Sequence, residues 1–171
     1  LNDYHVFHYR LGDMQTIGNL KRDIKKYSKA TQENYNNRTF NHDYDLYYNQ
    51  AKEYLKTNNC KNLIIMSDCN DFKSYIRANY TDPNIRVLHT KSVHTSYAPS
   101  VLSLTDFQNE DIERNKLLHT ALDIMILSRS CRNLSFSVYD WGSGFVYWTS
   151  RVFDIPVSIN TITYLDLSVW F

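Results

Sequence analysis

The sequence predicts an α/β fold, a parallel sheet with helices on both faces. Short runs rich in β-branched and aromatic residues alternate with segments of helical period along the chain. One run, Asn62–Met66 (Asn-Leu-Ile-Ile-Met), is apolar almost throughout instead of alternating, as a strand covered on both faces requires. Small or capping residues stand where runs give way to helices, at Ser67-Asp68 and at Gly142-Ser143-Gly144.

The elements follow in order. Tyr4–His8 reads as a strand that ends in a turn signalled by Gly12-Asp13. Ile17, Leu20, Ile24 and Tyr27 recur at helical spacing, flanked by a basic face from Lys21 to Lys29. Thr31 to Asp43 shows no periodicity and reads as a loop suited to a flap. Helical period returns from Tyr44 to Thr57, with Tyr47, Ala51 and Leu55 in register. After the buried strand, Ser67-Asp68 is expected to cap a helix over Asn70 to Ala78. Ile85–Leu88 is a short strand, and Thr90 to Ser103 is irregular. A long helix starting near Asp106 is expected to carry Leu117, Leu118, Leu122, Met125 and Ile126 inward. Leu134–Val138 is a strand, Gly142 to Phe153 a last helix, and Ile155–Ile159 a final strand.

With 171 residues the chain suits one domain, spanning 1–171. It begins at Leu1, so it reads as a piece of a longer protein, and any membrane anchor would belong elsewhere. Apolar residues make up 43% and charged residues 22%, which is ordinary for a globular domain. A net charge of +1 gives no global field for nucleic acid or a membrane surface, so neither is an expected partner. Cys60, Cys69 and Cys131 are odd in number and lack zinc spacing, which favours a reducing, cytoplasmic setting. Three N-x-S/T sequons, at Asn37, Asn79 and Asn133, match chance in so Asn-rich a chain and do not argue for secretion.

In a parallel sheet, ligands sit at the carboxyl ends of the strands. That makes two junctions of interest. The first is His8-x-Arg10-x-Gly12-Asp13. A guanidinium at a strand end binds a diphosphate through planar, bidentate, charge-assisted bonds. Gly12 lets the backbone pass close to a ligand, and Asp13 can fix the arginine or the loop. The alternative is a surface Arg in a Gly-Asp turn, with His8 packed in the core. The second junction is Gly142-Ser143-Gly144-Phe145, where a helix start exposes N–H groups and a positive dipole end to an anion. A plain serine N-cap is the alternative there.

These motifs resemble the fucosyltransferase superfamily that spans α1,2-, α1,6- and protein O-fucosyltransferases. The His8-x-Arg10-x-Gly12-Asp13 stretch is similar to its first motif. Tyr47-Tyr48-x-x-Ala51-x-x-Tyr54-Leu55, Leu63 to Asp68, Leu122 to Ser128 and Ser143-Gly144-Phe145 resemble later family segments in the same order. The resemblance implies a Rossmann-like nucleotide-binding half of a GT-B-type glycosyltransferase, binding GDP-fucose and transferring fucose with inversion. It implies that Arg10 binds the β-phosphate and offsets the charge that grows there as the glycosidic bond breaks. His8 and Asp123 would contact guanine or ribose, Ser143, Gly144 and Phe145 would complete the phosphate cradle, and Ser67 and Asp68 would line the cleft. No metal is implied, because arginine takes the role of a divalent cation. The acceptor would be a glycan or protein hydroxyl, and a Golgi or ER lumen is implied if the chain belongs to a type II membrane protein. Two departures stand out. Many relatives have a second arginine where this chain has Leu11, and the acceptor domain that precedes the first motif is largely absent. No catalytic base can be assigned, Asp13 being the nearest carboxylate.

Other constellations read as structural. His5 and His8 are three apart and point to opposite faces of a strand, so they do not share a metal ion. Asp43-x-Asp45 lies at a helix start, where capping explains it. The competing function is a non-catalytic Rossmann-like module, a degenerate transferase fold kept for protein or glycan binding.

Overall fold

The computed structural model describes residues 3–11, 43–88, 90, 110–137 and 142–162, and of 110–116 and 161 the backbone alone. Five strands, β1 (His5–Arg10), β2 (Leu63–Ser67), β3 (Ile85–Val87), β4 (Arg132–Ser137) and β5 (Val157–Thr161), form one sheet. Its order is β3-β2-β1-β4-β5, and every neighbouring pair is parallel. The helices α1 (Tyr44–Thr57), α2 (Asn70–Asn79), α3 (Glu110–Ser128) and α4 (Gly144–Val152) connect them. This is a Rossmann-like α/β sheet. Its order reverses between β1 and β4, so the crevice beyond their carboxyl ends is the expected ligand position.

Period-2 alternation along β1 sorts side chains onto two faces. Phe7, Tyr9 and Leu11 join the larger core with Tyr47, Ala51 and Tyr54 of α1 and Phe72 and Ile76 of α2. The Tyr9 ring stacks on Tyr47 and Phe136 at centroid distances of 5.2 and 5.3 Å. Its hydroxyl lies 2.8 Å from the Tyr47 carbonyl and 2.9 Å from Gln50 Oε1. Val6 faces the other way, into a smaller core with Ile64, Met66, Leu127 and Val146. On that second face α3 and α4 lie over the sheet.

Local chemistry sets the helix starts. Asp43 Oδ1 accepts from the Leu46 N–H at 3.0 Å, an N-cap that accounts for Asp43 as the sequence anticipates. The α2 cap differs from the expected Ser67-Asp68: Cys69 is the N-cap, its Sγ accepting from Phe72 N–H at 3.5 Å. Ser67 instead spends its hydroxyl on the Tyr9 carbonyl at 2.6 Å. Three strands run later than expected, β1, β2 and β5, whereas β4 begins two residues earlier, at Arg132. β1 extends to Arg10, and β5 begins at Val157 after Pro156, which has no N–H to offer a ladder.

The largest departure is the rotation of α3. Leu117, Leu118, Leu122 and Met125 face outward, Leu117 with 71% of its surface exposed, while Leu127 is fully buried. Apolar residues lie on every side of this helix, so periodicity gave no direction. No helix among the described residues is long and apolar enough to cross a membrane.

A buried polar lattice anchors β4 to α3 and α4. Asn133 is fully buried; its amide donates to the Leu127 carbonyl at 3.1 Å and to Ser150 Oγ at 2.9 Å. Its Oδ1 accepts from Ser130 Oγ at 2.7 Å. Truncating it strands several buried partners, each unsatisfied group costing about 1–3 kcal/mol. Asn133→Ala is therefore expected to lower the unfolding free energy by roughly 3 kcal/mol in urea titration, with the m-value unchanged.

Candidate functional site

The second face is apolar along β2, with Ile64 and Met66 beside Val6 of β1, and polar along β4, where Asn133, Ser135 and Ser137 are all buried. Towards the carboxyl edge the same alternation brings His8 and Arg10 on β1 and Ser135 and Ser137 on β4, with Asp68 just past β2. His8, Ser135 and Ser137 are buried. Polar groups where a core would otherwise continue weaken packing, and such violations of the folding pattern mark functional sites.

His8 and Arg10, expected together, do share this face and edge. Burial is the main cause that pulls the His8 imidazole down to about 4. The Asp68 carboxylate opposes that shift, while Arg10 and Lys73 reinforce it. His8 is thus neutral at pH 7, with Ser135 Oγ 3.5 Å from its Nδ1. His5 turns to the opposite face, its Nδ1 2.8 Å from the Tyr54 hydroxyl, so the two histidines are separated as the strand period requires.

Asp68 closes the end of β1, accepting the Leu11 N–H at 2.7 Å. Ser67 points to the aromatic face, and its hydroxyl also accepts from the Cys69 N–H at 3.0 Å. Its role is to shape the turn. Leu11, which stands where the resembled family often has a second arginine, is fully buried in the larger core. Its side chain is directed away from the crevice.

Asp123 enters the site from α3, one turn before Leu127. Burial raises its carboxyl above the usual range, against a hydrogen bond from the Thr90 side chain and the charges of Lys73 and His119. One carboxylate oxygen, Oδ1, is buried with no hydrogen-bond partner among the described residues. The structure sets it beside Lys73 and Thr90. Lys73 is the residue that sequence reasoning missed. It is buried at the start of α2 and donates from Nζ to the Thr90 carbonyl. Burial lowers its ammonium, and Asp123 and Asp68 oppose that. The signal available was a lysine one turn into a helix that follows Ser-Asp at a strand end.

The fourth contribution is the start of α4. Gly142 has φ +70, and a Cβ there would lie 2.3 Å from Ile159 Cγ2, so only glycine fits. Ser143 occupies the N-cap, yet its side chain makes no capping bond. Only 1% of its surface is exposed, and its Oγ finds no partner among the described residues. Gly144 has open space where a Cβ would be, and Phe145 packs against the smaller core. A buried, unused hydroxyl beside free helix N–H groups is an arrangement ready for an anion.

Gly12 and Asp13, the rest of the first motif, lie outside the described residues, as do the basic helix and the flap up to His42. Among the described residues no group of three or more His, Cys, Asp or Glu is arranged to hold a metal ion. The three cysteines are free. No protein-family model matches the chain, and no characterised protein matches its sequence.

The His8 environment makes stability depend on pH. Its pKa is depressed in the folded state, so between about 6.5 and about 4 the unfolded chain binds more protons than the folded one. Stability is then present above pH 6.5 and is lost as pH falls. The expected loss from this group is roughly 3 kcal/mol over the window, and His8→Asn should flatten that slope in urea titrations at stepped pH. Gly142→Ala combines a positive φ with the Ile159 clash and is expected to cost about 2–4 kcal/mol, read by thermal denaturation.

Proposed function

We propose that this domain holds a GDP-sugar, GDP-fucose foremost, at the carboxyl edge of its sheet and transfers the sugar with inversion to a glycan or protein hydroxyl. The observation that carries the reading is the Ser143 hydroxyl. It is buried at the start of α4 with no hydrogen-bond partner among the described residues, on the same face and edge as Arg10, where the strand order reverses. Arg10 takes the β-phosphate and offsets the negative charge that builds there as the bond from the anomeric carbon to the phosphate oxygen breaks. Ser143 Oγ and the first N–H groups of α4 take the remaining phosphate oxygens. The orphaned Asp123 Oδ1 suits the guanine N1–H or exocyclic amine, a preference for guanine over uracil. His8, neutral at pH 7, adds no charge and offers one N–H and one acceptor. Within this reading the domain is the nucleotide half of a GT-B-type enzyme that works without a metal.

A second reading, a non-catalytic protein-contact module, is favoured by the outer face of α3 and α4. Leu117, Leu118, Trp148 at 67% and Val152 at 74% are exposed there. Solvated apolar side chains gathered on one side commonly mark an interaction surface.

Calorimetry with GDP, GMP and UDP separates the readings. GDP is expected to bind most tightly, and Arg10→Ala to weaken it by 10-fold or more, since a charge-assisted bond contributes about 1.5–3 kcal/mol. Ser143→Ala gives a paired signature. Removing an unsatisfied buried hydroxyl should stabilise the free protein by about 1 kcal/mol while weakening GDP several-fold. Absence of nucleotide binding would hand the case to the contact module.

A further inference from the structure

Lys73 stands where a lysine is costly. Only 4% of its surface is exposed, and its Nζ donates to the carbonyl of Thr90, a few residues past the end of β3. Methionine or leucine would fill such a place without desolvating a charge. A buried ammonium calls for a counter-charge, and two carboxylates face it, Asp123 from α3 and Asp68 from the end of β2.

Asp68 has a structural task already, since it accepts the Leu11 N–H at 2.7 Å and closes β1. Asp123 is half-buried, and its Oδ1 has no hydrogen-bond partner among the described residues. The Thr90 hydroxyl donates to this carboxylate. Thr90, itself buried, thus receives Lys73 at its carbonyl and reaches Asp123 with its side chain. One residue ties α2 to α3 across the carboxyl edge.

Charged groups approach this tie from three elements. Lys73 faces Asp123 from α2, and His119 stands one turn earlier on α3. On β1, Arg10 and the neutral His8 lie beside Asp68 and Lys73. Lys73 is the cation fixed by a bond to the same residue that bonds Asp123. Burial favours the protonated carboxyl, and the ammonium favours the ionised one. The difference matters for recognition. A guanine edge presents two donors, N1–H and the exocyclic amine, and an ionised carboxylate accepts both. A protonated carboxyl turns one of its oxygens into a donor.

We infer that Lys73 is a positioning residue: through Thr90 it holds Asp123 as a charged double acceptor and so gives the site its choice of guanine. The choice of base rests on the nucleotide reading above, whereas the hold on Asp123 does not.

The test is a carboxyl-carbon NMR titration of Asp123 paired with calorimetry of GDP against inosine diphosphate, which lacks the exocyclic amine. Lys73→Met keeps an apolar stem in place and removes the charge. It should move the Asp123 midpoint to higher pH, and Lys73→Arg should return it. Thr90→Val, similar in shape and with its carbonyl intact for Lys73, should also raise it. The wild type should bind GDP about 10-fold more tightly than inosine diphosphate, the weight of one charge-assisted bond. Lys73→Met should cut that preference about threefold or more at pH 7. The preference should recover as pH rises, which a mere loss of packing would not show. An Asp123 midpoint unmoved in Lys73→Met, or a GDP preference that ignores the substitution, overturns the inference. A moved midpoint without any GDP binding supports the hold on Asp123 and sinks the nucleotide reading instead.

Discussion

The structure depends on how β1 is finished. A central parallel strand has a ladder on each side, and where the β1–β2 ladder stops, its last backbone groups need partners. Two consecutive side chains at the end of β2 provide them: Ser67 donates to the Tyr9 carbonyl and Asp68 accepts from the Leu11 N–H. These bonds hold the final residues of β1 in extended register, keeping Leu11 in the aromatic core and Arg10 on the opposite face. Without them the strand could fray at the position where alternation matters most. The crevice is thus positioned by its own rim.

That rim gathers ionisable groups in unusual density. Asp68 and Lys73 act on the His8 imidazole, Asp68 and Asp123 act on Lys73, and Thr90 ties Lys73 to Asp123 through its carbonyl and hydroxyl. Ionised, the two carboxylates outnumber the lysine by one charge, and the raised pKa of Asp123 lessens that excess. The positive potential left for an anion comes from Arg10 and from the amino end of α4. Burying such a set is expensive, and partnering by opposite charge and hydrogen bonds is what makes it tolerable. Val6, Ile64, Met66, Leu127 and Val146 supply the apolar packing on the same face.

Much of the architecture was legible in the sequence, because its signals are local. The α1 boundaries match Tyr44 to Thr57, since a capping aspartate and steady aromatic period mark them. The buried strand at Leu63 announces itself by being apolar on both faces. What could not be read was direction. On α3 the inward line includes Asp123 and Leu127, apolar only at its lower end, while leucines stand outside. A helix whose inner face serves a polar site shows a pattern that misleads a search for apolar stripes. Lys73 was hidden for the same reason: a lysine on a helix is ordinarily solvated, and only the packing of Thr90 across it makes it part of the crevice. His8, Arg10 and Ser143 stand in motifs visible in the sequence and Asp123 was named through the resemblance alone, while the Ser143 hydroxyl's lack of a partner among the described residues is a property of three dimensions.

The strand order also has a history in time. β1 pairs with β2 on one side and β4 on the other, and Ser135 meets His8 across 127 positions of sequence. A ribosome adding about 5–20 residues each second leaves that flank of β1 without its neighbour for on the order of ten seconds. During that interval a short, apolar, aromatic strand presents an open row of backbone donors and acceptors, the template that recruits foreign strands. The feature that creates the crevice, a strand order that turns back on its first member, is therefore the one that most exposes the nascent chain to mispairing.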